Sequence, residues 1–369
     1  MAEFLICARS ARALAVSASA SGATVHALDC FGDTDLRAVA ASWQRVAGAD
    51  GELDEAAVLA AAAAPVLRGK PLIYGGGLER SPALLEALAH GRALVGNGAQ
   101  VLRRVCDARV FFATLDTLGI ACPAVRFEPV HAGGPWLVKR EGAAGGAHVR
   151  CYRSGDPLPA GCYLQRQVRG QVLSASFVAT GTGARVVGYA QAFSVQSRAG
   201  TFWHAGLVSV PPPRGSEIIE RWAKQLARAF GLRGLNGIDC MIAPSGRITL
   251  LELNPRPGAS AFLLPGGEMA VALHVAAAAD GRLPDAPVPP RRCHASGVVY
   301  ALDAPVSIGL SAWPGWTADR PAPGTRIEAG QPICTVYASG PTMHRAMADV
   351  RRRAALIDDR INLLKGKTE

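Results

Sequence analysis

The chain has no apolar run that reaches the ~18 positions a membrane-spanning helix needs; the alanine-rich pieces near Ala60 and Ala276 are short or interrupted. It has no Cys-x-x-Cys pair, and its nine cysteines are odd in number and scattered, which fits reduced thiols in a cytosol better than a disulfide framework. No basic leader precedes Phe4-Leu5-Ile6-Cys7-Ala8, so the start reads as a first strand and not as a signal peptide. The turn after it, Ala8-Arg9-Ser10-Ala11, lacks the glycine fingerprint of dinucleotide folds, which argues against NAD there and leaves Asp29 a plain loop acid. No internal repeat is visible. These absences give the expectation of a soluble cytoplasmic protein with no membrane partner.

Lysine is also scarce. Only five of the 39 basic residues are lysine, and the net charge of +10 is carried by arginines spread along the chain without aromatic interleaving. That pattern reflects codon composition and not a nucleic-acid partner, while anionic small substrates remain compatible with it. With 49% apolar and 18% charged residues the chain is globular, and 369 residues suggest two or three domains.

What is present begins as an α/β layer. The stretch 4–8, an alanine- and serine-rich segment, and Thr24-Val25-His26-Ala27-Leu28-Asp29 read as strand, helix, strand. Leu72-Ile73-Tyr74 runs into Gly75-Gly76-Gly77 and a helix over 81–90, and Ala93-Leu94-Val95 adds a further strand. A helix over 108–118 opens a second region, where Trp136-Leu137-Val138-Lys139-Arg140 leads through small residues to another strand. Backbone N–H groups in such a loop can cradle phosphate oxygens, and Lys139 stands at its threshold.

The chemistry concentrates in 237–258. Two apolar runs flank Pro244-Ser245-Gly246 as a β-hairpin, with Asp239 on the first strand and Glu252 and Asn254 on one face of the second. Alternation assigns Leu251 and Leu253 to a core. Two carboxylates and an amide form a hard, all-oxygen set of the kind that holds Mg²⁺, and Arg256 two residues on suits a phosphoryl group or an acyl phosphate. A proline-rich break over 283–290 precedes a tail of short strands and an arginine-rich helix near 343–364, whose charges read as a solvated face.

In this order, Val138-Lys139 with its glycine loop and the hairpin ending in Asn254-Pro255-Arg256-Pro257-Gly258 resemble the ATP-grasp superfamily of carboxylate-amine ligases, over residues 1–290. The resemblance implies an α/β ATP-grasp fold with an N-terminal parallel α/β domain at 1–104, a lid subdomain at 105–168, a large subdomain with the metal site at 169–290 and a β-rich C-terminal extension at 291–369. It implies ATP and Mg²⁺ as cofactors. Lys139 with Gly142, Gly145 and Gly146 would hold the phosphates, and Gln165, Arg166, Gln167 and Val168 would present backbone groups to adenine. Asp239, Glu252 and Asn254 look like the metal ligands, and Arg256 resembles the arginine that steadies an acyl phosphate. The chain departs from many relatives near Asp107, where an early lid lysine is missing and Arg103 or Arg109 is the candidate substitute, and at Val172, where an acid meets the ribose.

The overall pattern is similar to tyramine:glutamate ligases and their methylotroph counterparts. That likeness implies joining the γ-carboxylate of glutamate to tyramine or tyrosine in assembly of a methanofuran-like one-carbon cofactor. Gln191, Arg198, Trp203 and His204 are the candidate acceptor residues, and a homodimer is the candidate assembly. Two rival readings stay open: another amino-acid ligase of D-alanine:D-alanine type, and a catalytically silent nucleotide-binding regulator.

Overall fold

The computed structural model describes residues 2–365 apart from residues 50, 132–133, 144–145, 147, 197–200, 265, 286–291, 303 and 310–311. Gly145 and Arg198 therefore lie outside the described residues.

The N-terminal sheet is parallel, as the opening pattern predicts, in the order Ser42–Arg45, Thr24–Asp29, Glu3–Cys7, Leu72–Tyr74, Leu94–Val95. Both faces are covered, so its strands are apolar on both sides. Leu5 and Cys7 pack with Leu84, Leu85 and Leu88 of the helix Pro82–Ala89. Phe4 and Ile6 pack on the other side with Leu14, Ala15 and Ala18 of the helix Arg12–Ala20. Asp29 is structural, as expected: its buried carboxylate accepts the amides of Ala11, Phe31 and Gly32 at 2.5–2.7 Å. The strand order reverses between Glu3–Cys7 and Leu72–Tyr74, which opens a crevice at their carboxyl ends.

Helix Ala99–Cys106 was not foreseen, and the domain boundary expected at 104–105 falls inside it. The break comes at Asp107, whose carboxylate accepts the Val110 amide at 3.0 Å and starts the helix Ala108–Thr117. A four-stranded antiparallel sheet follows, ordered Val125–Arg126, Cys162–Arg166, Trp136–Arg140, Arg150–Cys151.

The central sheet has eight strands: Ile248–Asn254, Arg233–Ile242, Gln171–Thr180, Ala184–Gln196, Phe202–Val210, Cys293–Tyr300, Pro332–Gly340 and Thr317–Ala318. Helix Ser216–Phe230 covers it with Ile219, Trp222, Ala223, Leu226, Ala227 and Phe230, which recur at spacings of one, three and four along one stripe. Each large side chain of that stripe contributes roughly 1.5–3 kcal/mol by leaving water. In the stretch 291–369, Cys293–Tyr300, Pro332–Gly340 and Thr317–Ala318 continue the central sheet, while Val306–Ser307 and Arg326–Ile327 form a two-stranded sheet of their own. Helix Met343–Lys365 then covers that end with Ala346, Val350, Ile357 and Ile361. No described helix is long and apolar enough to cross a membrane.

Candidate active site

The acidic hairpin pairs Asp239 with Glu252 and Gly237 with Asn254. Between Asp239 and Cys240 the register slips: Cys240 faces Leu250, and Leu251 is left as a β-bulge. Without the bulge, alternation would send Glu252 and Asn254 to the same side as Leu250. With it, Leu250 and Leu253 both enter the core while Glu252 and Asn254 line a cleft. The expected core position of Leu251 is thereby corrected. Leu251 is half-buried, and its carbonyl accepts from Gln165 Nε2 at 3.2 Å. The buried Gln165 side chain thus supports the bulge.

Asn254 Nδ2 donates to Asp239 Oδ2 at 3.0 Å, and Lys139, on strand Trp136–Arg140, brings its Nζ to 2.8 Å from Glu252 Oε2. Burial and the neighbouring Glu252 charge push the Asp239 carboxyl up to about 7. Burial works against the Glu252 charge as well, but Lys139 outweighs it and holds that carboxyl below the usual range. The ammonium of Lys139 is likewise kept charged against its burial by Glu252.

Two glycines after Lys139 are fixed by their surroundings. Gly142 has φ +64°, and a Cβ there would stand 2.8 Å from the Glu79 carbonyl oxygen; Gly146 has φ +80°, and its Cβ would stand 2.7 Å from the Phe202 carbonyl oxygen. Both positions need glycine for space and for backbone conformation. Glu141 Oε1 accepts the Ala108 amide at 3.1 Å and ties the start of the loop to the helix Ala108–Thr117.

Arg256 is held from the N-terminal sheet. Its Nε donates to Glu79 Oε1, while Glu79 Oε2 accepts the Gly77 amide at 2.7 Å. Tyr74 Oη and Asn97 Nδ2 donate to the Pro255 carbonyl at 2.9 and 2.8 Å, and Asn97 also meets Asn236 Oδ1 at 2.8 Å and the Arg233 amide at 2.7 Å. Tyr74, Glu79 and Asn97 were not singled out in the sequence. The signal was available: each lies at or just beyond the carboxyl end of a parallel strand, where α/β sheets present ligand-facing groups.

Other expected residues fall elsewhere. The amides of Arg166 and Gln167 donate to the Ala124 and Pro135 carbonyls at 2.8 and 3.0 Å, so these two donors are spent within the protein. Arg103 pairs with Glu86 at the surface and Arg109 lies 4.2 Å over the Phe127 ring, so neither takes the place of a lid lysine. Among the described residues the cleft is lined by Glu79, Lys139, Gly142, His148, Glu252 and Asn254, together with apolar groups such as Phe112 and Tyr163. Gln191, Trp203 and His204 are not among its walls. Gln191 pairs with Leu173 and Val208 in the central sheet. Trp203 stacks on Tyr300 at 5.2 Å, and the His204 carbonyl accepts the Tyr300 hydroxyl at 2.8 Å.

Lys139 and Arg256 are each matched by an acid, Glu252 and Glu79, while Asp239, pushed toward neutral by burial beside Glu252, is a third carboxyl that a divalent cation would ionise. Among the described residues no three His, Cys, Asp or Glu come together, so an oxygen set here is the two carboxylates plus the Asn254 amide. That set fits a hard divalent ion that keeps several waters or phosphate oxygens.

Residues 106–260 match the family model described as the ATP-grasp domain. The fold is an ATP-grasp fold. The biotin carboxylase domain of Hydrogenobacter thermophilus 2-oxoglutarate carboxylase, solved with MgADP, ADP and bicarbonate, aligns with a TM-score of 0.72 at 12% identity, over 95% of this chain and 88% of that one. N5-carboxyaminoimidazole ribonucleotide synthetase from Thermotoga maritima aligns at 0.67 and 14% identity, over 96% and 98%. The Staphylococcus aureus N5-carboxyaminoimidazole synthetase, complexed with ADP, aligns at 0.68 and 14%, over 96% and 97%. A search of the curated proteins gives no significant match. At these identities the similarity to the ATP-grasp structures is one of fold.

Proposed function

We propose that the protein is an ATP-dependent ligase that activates a carboxylate and joins it to an amine. The observation that carries this reading is the convergence of Asp239 and Glu252, on facing strand positions, with Lys139, which lines the same cleft as Gly142, and with Arg256 two residues beyond Asn254. ATP with Mg²⁺ would supply the phosphoryl group that turns a carboxylate into an acyl phosphate with a good leaving group. Asp239, Glu252 and the Asn254 amide oxygen are the groups that would hold the metal. Lys139 and the backbone of 142–146 would bind the phosphates. Arg256, fixed at its Nε edge, would hold the carboxylate and balance its growing charge during transfer. The apolar wall of Phe112 and Tyr163 keeps water away from that side of the cleft. The structural relatives named above, carboxylases and synthetases of small molecules with ADP in two of them, support an enzyme of this kind.

The narrower reading takes glutamate as the acid, through its γ-carboxylate, and tyramine or tyrosine as the amine, in assembly of a methanofuran-like cofactor. The overall pattern of the sequence is what supports it. The test is ADP release from Mg-ATP with glutamate, with and without tyramine or tyrosine, followed by mass detection of the product. Amine-dependent ADP and a γ-glutamyl amide are expected. No product from these amines, with turnover on another acid and amine pair, would overturn the narrower reading alone. No metal-dependent ADP release with any acceptor would overturn the ligase.

A further inference from the structure

Arg256 and the residue that directs it are 177 positions apart, in segments that follow strands of two different sheets. Glu79 is 5% exposed and makes three connections at once. Its Oε1 accepts from Arg256 Nε, its Oε2 accepts the Gly77 amide, and its backbone carbonyl is the surface on which Gly142 of the glycine loop closes. The guanidinium is confined on its remaining sides. Arg256 Nη1 donates to the Pro257 carbonyl at 3.1 Å, and a Cβ at Gly76 would stand 3.4 Å from the guanidinium carbon. Nε and Nη1 are thus occupied, and Nη2 carries the N–H groups with no acceptor among the described residues.

We infer that Glu79 is the positioning residue for Arg256, fixing the guanidinium so that one end faces the reacting carboxylate. The inference rests on the ligase reading of the site. An arginine freed at Nε would swing about its side-chain torsions, and a displacement of about 1 Å in a charge-stabilising group can cost on the order of 100-fold in rate. A carboxylate does this work where an amide cannot, because a glutamine would turn its N–H₂ toward a donor or give up the Gly77 amide.

Two measurements on the full chain test it. In protein labelled with ¹⁵N-arginine, the Arg256 Nε–H resonance, recognised by its loss in Arg256→Lys, should stand apart from exposed arginines and exchange slowly with water. In Glu79→Gln, checked for folding by thermal unfolding, it should move to the exposed position; in Glu79→Asp it should stay shifted. With acceptor substrates, Glu79→Gln should lower kcat about 10–100-fold with the KM for ATP within about twofold of wild type, and Glu79→Asp should recover part of the loss. An unchanged Arg256 resonance in Glu79→Gln, or a kcat within about twofold of wild type, would overturn the inference. A wild-type protein with no acceptor-dependent turnover overturns the ligase reading instead, and the resonance then decides by itself whether Glu79 holds Arg256.

Discussion

Replacing Glu252 by glutamine keeps the shape of the side chain and removes its charge, which separates the structural and chemical duties of the acidic hairpin. Breaking a buried ion pair by removing one partner ordinarily costs ~3–5 kcal/mol, because the other charge is stranded. Two features reduce that here. The Glu252 side chain is 36% exposed although Lys139 is only 8% exposed, so water screens part of the interaction. Asp239 faces Glu252 and is held near neutral partly by its charge, so a neutral residue 252 lets Asp239 ionise and become the counter-ion of Lys139. The expected loss of stability is therefore about 1–2 kcal/mol, comparable to one charged hydrogen bond. Denaturant unfolding of Glu252→Gln, Lys139→Met and the double variant should give a coupling of about 1 kcal/mol. Turnover should fall by more than about 100-fold in the folded Glu252→Gln protein, since a metal ligand and a charge-stabilising group go together. A coupling within about 0.3 kcal/mol of zero would refute the ion pair. Normal turnover in the folded variant would refute the metal assignment.

Lys139→Ala should weaken ATP binding about 10–100-fold, as loss of one charge-assisted contact predicts, and calorimetric titration measures it. Gly142→Ala should raise the KM for ATP, because the Cβ meets the Glu79 carbonyl oxygen at 2.8 Å in a left-handed backbone; an unchanged KM would mean the loop does not close on Glu79. His274 is buried, accepts the Leu235 amide at Nδ1 at 2.8 Å and donates through Nε2 to the Val95 carbonyl, so a proton on Nδ1 would face another donor. Burial holds its pKa down to about 4, and the unfolded chain therefore takes up the proton first as pH falls. Stability should then be full above about pH 6.5 and fall by about 3 kcal/mol on acidification to about pH 4. In His274→Asn, where an amide oxygen can still accept from Leu235, that slope should disappear from the unfolding free energy measured across this range.

Several strands and helices were legible, though not the helix Ala99–Cys106, because burial patterns and turn residues are local. Leu5 and Cys7 against Phe4 and Ile6, the stripe of helix Ser216–Phe230 and the turn at Pro244-Ser245-Gly246 all follow from side-chain period and backbone freedom. So did the chemistry of the hairpin, since Asp239, Glu252, Asn254 and Arg256 sit within a short stretch of chain, and Lys139 is marked by the small residues after it. Tertiary structure decided what spacing does not encode. The bulge at Leu251, with Gln165 beneath it, settles which face Glu252 presents, and one residue of slip reverses every side chain after it. The hold of Glu79, Tyr74 and Asn97 on the arginine segment joins residues 158 to 181 positions apart, and no local pattern announces such a pairing. The C-terminal strands joined the central sheet for the same reason: a strand edge is a row of unpaired backbone groups, and which strand meets it is a property of the folded chain.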